Sequence, residues 1–356
     1  MILLNPGPVT LTQRVRKSLL KQDICHREPE FIELQENIRK KLLQVYLLNS
    51  SDWAPILVTG SGTSAVEAML TSCIPKGGNV LVIENGVYGE RMSEILKTYE
   101  IKHKKLRGDW EAPIDLSAVN NMLSKTQFSH AAVVHHETTT GRLNNIKQIS
   151  RLCRDHQTKL LIDGVSSFGA EEIPFGEEPI VACAATANKC LHGVPGASFV
   201  VISRKQTKNL IPPRRSVYLD LFKYLKAQDE SGTPFTQSIQ SFYALDEALS
   251  EFFESGNLKG RHETYRHRMT EVTKTLSSLG VDALLPPESN SVVLKSFFIP
   301  PSKTYEEIHE SLKDMGFIIY AGQNQLKEKL FRISLMGDIS NQNLEKLKQA
   351  LRKTFG

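Results

Sequence analysis

Six short and almost unbroken apolar runs constrain this chain more than any other feature. They are Ile56–Thr59, Asn79–Ile83, His130–Val134, Lys159–Ile162, Ile180–Cys183 and Ser198–Ile202. A strand with one wet face alternates apolar with polar residues, whereas a near-continuous run of this length suits a strand covered on both faces. Between the runs lie helical stretches at Ser64–Cys73, Arg91–Tyr99, Leu116–Leu123 and Ile146–His156. Strand and helix in alternation require crossover connections, and therefore an α/β fold with a mostly parallel sheet and helices on both faces. The last two runs have no helix between them. They are joined by Thr186–Gly196, a loop rich in small residues.

Beyond about residue 205 the texture changes. Pro212-Pro213 and Gly232-Thr233-Pro234 signal loops, and long helical stretches follow at 238–253 and 259–278. The remainder mixes strands at Ser291–Phe298, Phe317–Tyr320 and Leu330–Ser334 with helices at Tyr305–Met315 and Asn341–Lys353, a smaller α+β C-terminal domain. The length of 356 residues accommodates two such units. A balance of 44 Lys+Arg against 39 Asp+Glu admits anionic ligands, but no dense basic run points to nucleic acid. Five cysteines, an odd number with no C-x-x-C pair, argue for a reduced cytoplasmic protein. The opening Met1–Pro8 has no basic n-region, and no apolar run approaches membrane-spanning length, so neither signal peptide nor membrane is expected.

In open parallel sheets ligands bind beyond the carboxyl ends of the strands, so the residues after each run carry the functional information. Gly60-Ser61-Gly62-Thr63-Ser64 after the first run can be a nest of N–H groups for a phosphate, or an ordinary glycine-rich helix start. Tyr88 between Gly86 and Gly89 can stack on a planar ring or simply half-bury in a turn. His135 and His136 suggest a metal, but neighbours on an extended strand point to opposite faces, so packing is the better reading and no metal is expected. The hydroxyls of Thr138-Thr139-Thr140 can donate to an anion or a ring oxygen. Asp163 ends an apolar strand, where it either caps a turn or meets a cation. Lys189 is a single cation in a small, uncharged stretch, where loss of solvent would free its amine to attack a carbonyl.

Taken together, a phosphate nest, an aromatic, an acid and a desolvated lysine at one sheet edge are the parts that hold pyridoxal 5'-phosphate (PLP). The acid keeps the pyridine nitrogen protonated and the lysine bonds the carbonyl. The nest alone is equally compatible with a non-catalytic protein that binds a phosphate ligand.

At these residues the sequence resembles the class V aminotransferases of fold type I. The stretches that carry the likeness include Leu4–Pro8, Cys25–Phe31, Gly60–Ala68, Asn85–Gly89, Glu137–Gly141, Asp163–Gly169 and Ala187–Gly196, with Gly316–Tyr320 and Phe331–Ile333 near the end. Within the family it is similar to members that move the amino group of 2-aminoethylphosphonate to pyruvate. Alanine–glyoxylate transfer is the alternative. Cysteine desulfuration needs a mobile-loop cysteine that this sequence does not clearly offer. The resemblance implies that Lys189 is the catalytic lysine and Asp163 the partner of the ring nitrogen. Ser61, Gly62 and Thr63 would bind the phosphate, Tyr88 would stack on the ring and Thr138 would donate to the ring oxygen. It further implies that Thr236 reaches the phosphate of a neighbouring subunit, hence a homodimer with shared sites. Arg332 would bind the substrate anion, with Asn5 and Gly7 folding over the pocket. The implied division is an N-terminal segment 1–20 packing over the site and on the small domain, a PLP-binding domain 21–240 and a small domain 241–356. Three positions depart from the family pattern: Asn145, Gln323 and Ser334-Leu335-Met336-Gly337. The last two bear on the substrate.

Overall fold

The computed structural model describes all 356 residues. Its centre is a seven-stranded sheet. From one edge the strands run Trp53–Gly60, Gly196–Ser203, Ile180–Thr186, Lys159–Asp163, His130–Val134, Val80–Glu84 and His103–Arg107. Gly196–Ser203 is antiparallel to both neighbours, and the other pairs are parallel. That reversal follows from the small-residue loop, since only an antiparallel neighbour can be reached without a crossover.

Successive residues of these strands enter different apolar clusters. Leu57, Val133, Ile162 and Phe199 join one; Ile56, Val134, Leu161 and Val200 join the other. Because strand side chains alternate in direction, the two clusters are the two covered faces of the sheet. The strand His103–Arg107 breaks the apolar rule. Its Lys104, Lys105 and Arg107 are exposed at the sheet edge, where charge discourages pairing with another chain.

Helix starts follow local capping chemistry. Ser61 accepts from Ser64 N–H at 3.4 Å ahead of the helix Gly62–Cys73. Asn145 accepts from Gln148 N–H at 3.1 Å and opens Ile146–Asp155. Both substitute a side-chain acceptor for a missing backbone one.

A three-stranded antiparallel sheet, Leu294–Phe298, Leu330–Ser334 and Tyr320–Ala321 with Leu330–Ser334 central, forms a separate core with the helices Tyr305–Asp314 and Asn341–Phe355. The helix Ile239–Glu254 buries Phe242, Leu245, Leu249 and Phe252 against the large sheet. An expected division at 240/241 therefore cuts ahead of a helix of the large core. Along the chain's longest helix, residues of the small core begin at Met269. At the N-terminus, Ile2–Leu3 pairs in parallel with Phe317–Ile318, and Ser334 N–H donates to Leu4 O at 2.7 Å. The first residues thus belong to the small sheet's surroundings before crossing to the large one. No helix is long and apolar enough to cross a membrane.

Candidate active site

Five connections leave the carboxyl edge of the large sheet, and the residues they carry converge on one cleft. Lys189 sits in the turn between Ile180–Thr186 and Gly196–Ser203. Burial lowers its pKa to about 8, with the nearby charges of Arg332 and Arg91 pushing the same way. Its Nζ donates to the carbonyl of Pro6. Gly7 lies so close that a Cβ there would stand 2.7 Å from Lys189 Cδ, and its φ of +113° also favours glycine. Asn5 is buried and donates from Nδ2 to Pro8 O at 3.0 Å, which holds the Pro6-Gly7-Pro8 segment across the lysine.

Asp163 ends its strand fully packed. Burial raises its carboxyl to about 6, opposed by the Val165 N–H, which donates to Oδ1 at 2.9 Å, and by the charges of Lys189 and Arg91. Gly62, at the start of the first helix after the sheet's edge strand, packs on Val165. A Cβ there would lie 2.7 Å from its Cγ1. The helix N-terminus is thereby drawn in beside Asp163. Gly62 and Thr63 occupy its first turn, where backbone N–H groups have no partner within the helix. Ser61 is exposed and its hydroxyl is engaged as the cap.

Tyr88 stands in the first turn of the helix Val87–Thr98 with the Arg91 guanidinium 4.8 Å from its ring centre. Gly86 precedes it because a Cβ there would fall 2.3 Å from the Glu137 carboxyl carbon. Glu137 is wholly buried. Its Oε1 accepts from Thr139 Oγ1 at 2.6 Å and Thr139 N at 3.1 Å, its Oε2 has no partner, and burial raises its pKa to about 7.

Arg332, on the central strand of the small sheet, faces this group across the domain junction. Its Nε donates to Ala321 O at 2.8 Å and its Nη1 to Thr138 O at 2.9 Å and to Gln323 Oε1 at 3.1 Å. It is buried at 3% exposure, and no carboxylate pairs with it. Burial depresses its pKa. Thr138 is thus brought to Arg332 through its backbone.

Thr236 is the one expected site residue that the chain does not bring into the cleft. It is exposed in the loop ahead of Ile239–Glu254, while its neighbour Gln237 accepts from Thr59 Oγ1 at 2.8 Å and donates to Thr233 Oγ1 at 2.8 Å. His135 and His136 are buried against different partners, Ser167 Oγ and Ser166 O, both at 3.0 Å. Burial lowers them to about 3 and about 4, so both rings are neutral. Sequence reasoning passed over Arg91, Glu137 and the contact between Gln323 and Arg332. Only the departure from the family pattern at Gln323 gave any signal.

This donor set fits PLP. It offers free N–H groups at a helix start, a buried acid with one oxygen unengaged, an aromatic face and an amine that loses its proton near neutrality.

The family model for class V aminotransferases matches residues 15–347. This chain belongs to that family. As a class V aminotransferase it is a PLP-dependent transaminase of fold type I. It is 34% identical to the 2-aminoethylphosphonate–pyruvate transaminase of Bacillus cytotoxicus, over 97% of this chain and 95% of that one. It is 32% identical to the bifunctional phosphonoacetaldehyde hydrolase/aminoethylphosphonate transaminase of Clostridioides difficile, over 99% of this chain, which spans 56% of that protein. Among solved structures, the alanine–glyoxylate aminotransferase of a Nostoc species superposes with a TM-score of 0.91 at 25% identity, covering 100% of this chain and 95% of the other.

Proposed function

We propose that this transaminase moves the amino group of 2-aminoethylphosphonate to pyruvate, giving phosphonoacetaldehyde and L-alanine. The observation that carries the reading is Arg332, a buried guanidinium with no carboxylate, facing Lys189 across the cleft. A cation desolvated at this cost needs an anion, and both substrates bring one: a phosphonate and a carboxylate. Relatives whose names carry this reaction match 97–99% of the chain.

In this reading Gly62 and Thr63 hold the cofactor phosphate with their N–H groups, helped by Ser61. Tyr88 covers the ring, Thr138 donates to the ring oxygen, and Asp163 holds the proton of the ring nitrogen. When bound, PLP supplies an electron sink for the amino-bearing carbon. Lys189 Nζ moves the proton at that carbon, a task suited to an amine whose pKa is about 8. Arg332 orients the substrate by its anion, and Asn5 and Gly7 help close the N-terminal segment over the pocket and exclude water. Thr236, exposed on its own chain, completes the phosphate site of a second copy, so the working unit is a homodimer. Five cysteines free of disulfides suit a cytoplasmic enzyme.

An amino-donor panel with pyruvate as acceptor tests the substrate. Turnover of 2-aminoethylphosphonate well above that of other amines is expected. Turnover of alanine with glyoxylate and none of 2-aminoethylphosphonate would replace this reading with the reaction named for the Nostoc relative.

A further inference from the structure

Arg91 is a cation without an acid. It lies one turn after Tyr88 on the helix Val87–Thr98, half-buried, with its guanidinium over the Tyr88 ring at 4.8 Å. Its Nη1 reaches Thr63 Oγ1 at 3.4 Å, on the neighbouring helix Gly62–Cys73. No carboxylate forms an ion pair with it, and two nearby acids are engaged elsewhere. Glu84, buried at the end of the preceding strand, pairs with Lys105 and Arg107, both at 3.3 Å. Glu67, one turn after Thr63, accepts from the Tyr99 hydroxyl at 2.6 Å. Arg91 is also near enough to the centre of the cleft for its charge to act on both Asp163 and Lys189.

The two groups around this guanidinium do not satisfy it. A hydroxyl at 3.4 Å is a weak partner, and a ring face takes up only part of the charge. Its contact with Thr63 brings it to the helix start, where the first-turn N–H groups of Gly62 and Thr63 also have no partner within the helix. A fork of guanidinium donors beside open backbone N–H groups is the arrangement that binds a phosphate dianion. Arg332 sits on the opposite domain and is held by Ala321, Thr138 and Gln323, so the two arginines serve different anions.

We propose that Arg91 is a ligand of the cofactor phosphate, supplying the positive charge that the helix start lacks. Its stacking on Tyr88 then couples the two ends of the cofactor: the side chain that steadies the aromatic also grips the phosphate. The inference rests on PLP as the cofactor and is independent of which amine is the donor.

The test compares PLP with pyridoxal, which has the same ring and aldehyde but no phosphate. Both are titrated against full-length chain stripped of cofactor, and the rate of PLP loss is followed from the holoenzyme. Arg91→Gln should weaken PLP about tenfold or more while leaving pyridoxal within about twofold, as expected for losing one charge-assisted contact. Loss of PLP from the holoenzyme should quicken by a similar factor. Arg91→Lys, which keeps the charge and loses the fork, should fall between the wild type and Arg91→Gln. It also serves as the reading if Arg91→Gln does not fold. Equal weakening of PLP and pyridoxal would show that Arg91 acts only through Tyr88 and would overturn the proposal. Unchanged PLP binding with a raised KM for the amino donor would overturn it in favour of a substrate role. A wild-type chain that takes up neither compound would overturn the cofactor reading and this proposal with it.

Discussion

Two polar clusters share one turn of this molecule and differ in how their charges are met. Lys189 faces the cleft, with Asp163 and Arg332 as neighbouring charges and no ion pair among them within hydrogen-bond distance. Three residues on, His192 faces the rear. There Arg261 donates to Nδ1 at 2.6 Å, and Nε2 lies 2.8 Å from the Gly337 N–H and 2.5 Å from the Tyr265 hydroxyl. Arg261 also donates to Cys190 O at 3.1 Å. Burial drives the His192 pKa well down, so the ring is neutral and serves as a rigid tie between the lysine turn and the turn that follows the Arg332 strand. Buried polar groups that satisfy one another fix a fold, while those left wanting a partner mark the place for a ligand. Cavity size does not make this distinction. A hollow of about 1080 Å³ lies between Gln44–Leu48 and the helix start at 257–266, away from the strand ends that carry Lys189 and Asp163.

Substitutions on the two sides should separate sharply. Lys189→Met should lower kcat by about 10⁴-fold, the scale of losing both nucleophile and proton carrier. The same variant should stabilise the cofactor-free protein at pH 7, by no more than about 3 kcal/mol. Lys189 is charged in both folded and unfolded chains below pH 8, and the fold bears the cost of burying that charge. Between its folded pKa of about 8 and its ordinary value of 10.5 the unfolded chain binds more protons, so the wild type gains stability as pH rises. The advantage of methionine should therefore shrink over that window and vanish above it, as denaturant melts at pH 7, 9 and 11 would show. Arg332→Gln should raise the KM of the anionic amino donor about a hundredfold and change kcat far less, read from initial rates. His192→Ala, on the satisfied side, should cost about 2 kcal/mol of stability and leave KM within a few-fold. A large KM change in His192→Ala together with a silent Arg332→Gln would erase the contrast.

The large sheet was legible because its strands are covered on both faces. Leu160–Ile162 and Ile180–Cys183 are unbroken apolar runs, as strands covered on both faces require. The strand His103–Arg107 was not legible, since its sequence is that of an exposed edge and only pairing with Val80–Glu84 makes it a strand. The helices Pro29–Gln44 and Leu221–Asp229 went unread for a related reason: their buried residues are spaced among charges and answer to tertiary partners. Lys189 and Asp163 were legible from the polarity contrast with their own neighbours. Arg91 was not, because what singles it out is an acid that is elsewhere, and a missing partner leaves no trace in sequence. Gln323 showed as an unusual residue, but its hydrogen bond to Arg332 arises from a turn that only the small sheet defines.

PLP is proposed to be held at the unmet charge of the cleft, and at Lys189 above all. Reduction of the holoenzyme with borohydride followed by peptide mass analysis tests it most directly. The peptide bearing Lys189 should carry a pyridoxyl group, and the holoenzyme should lose its colour on reduction. A pyridoxyl group fixed on another lysine, or none on a protein that still transaminates, would contradict it.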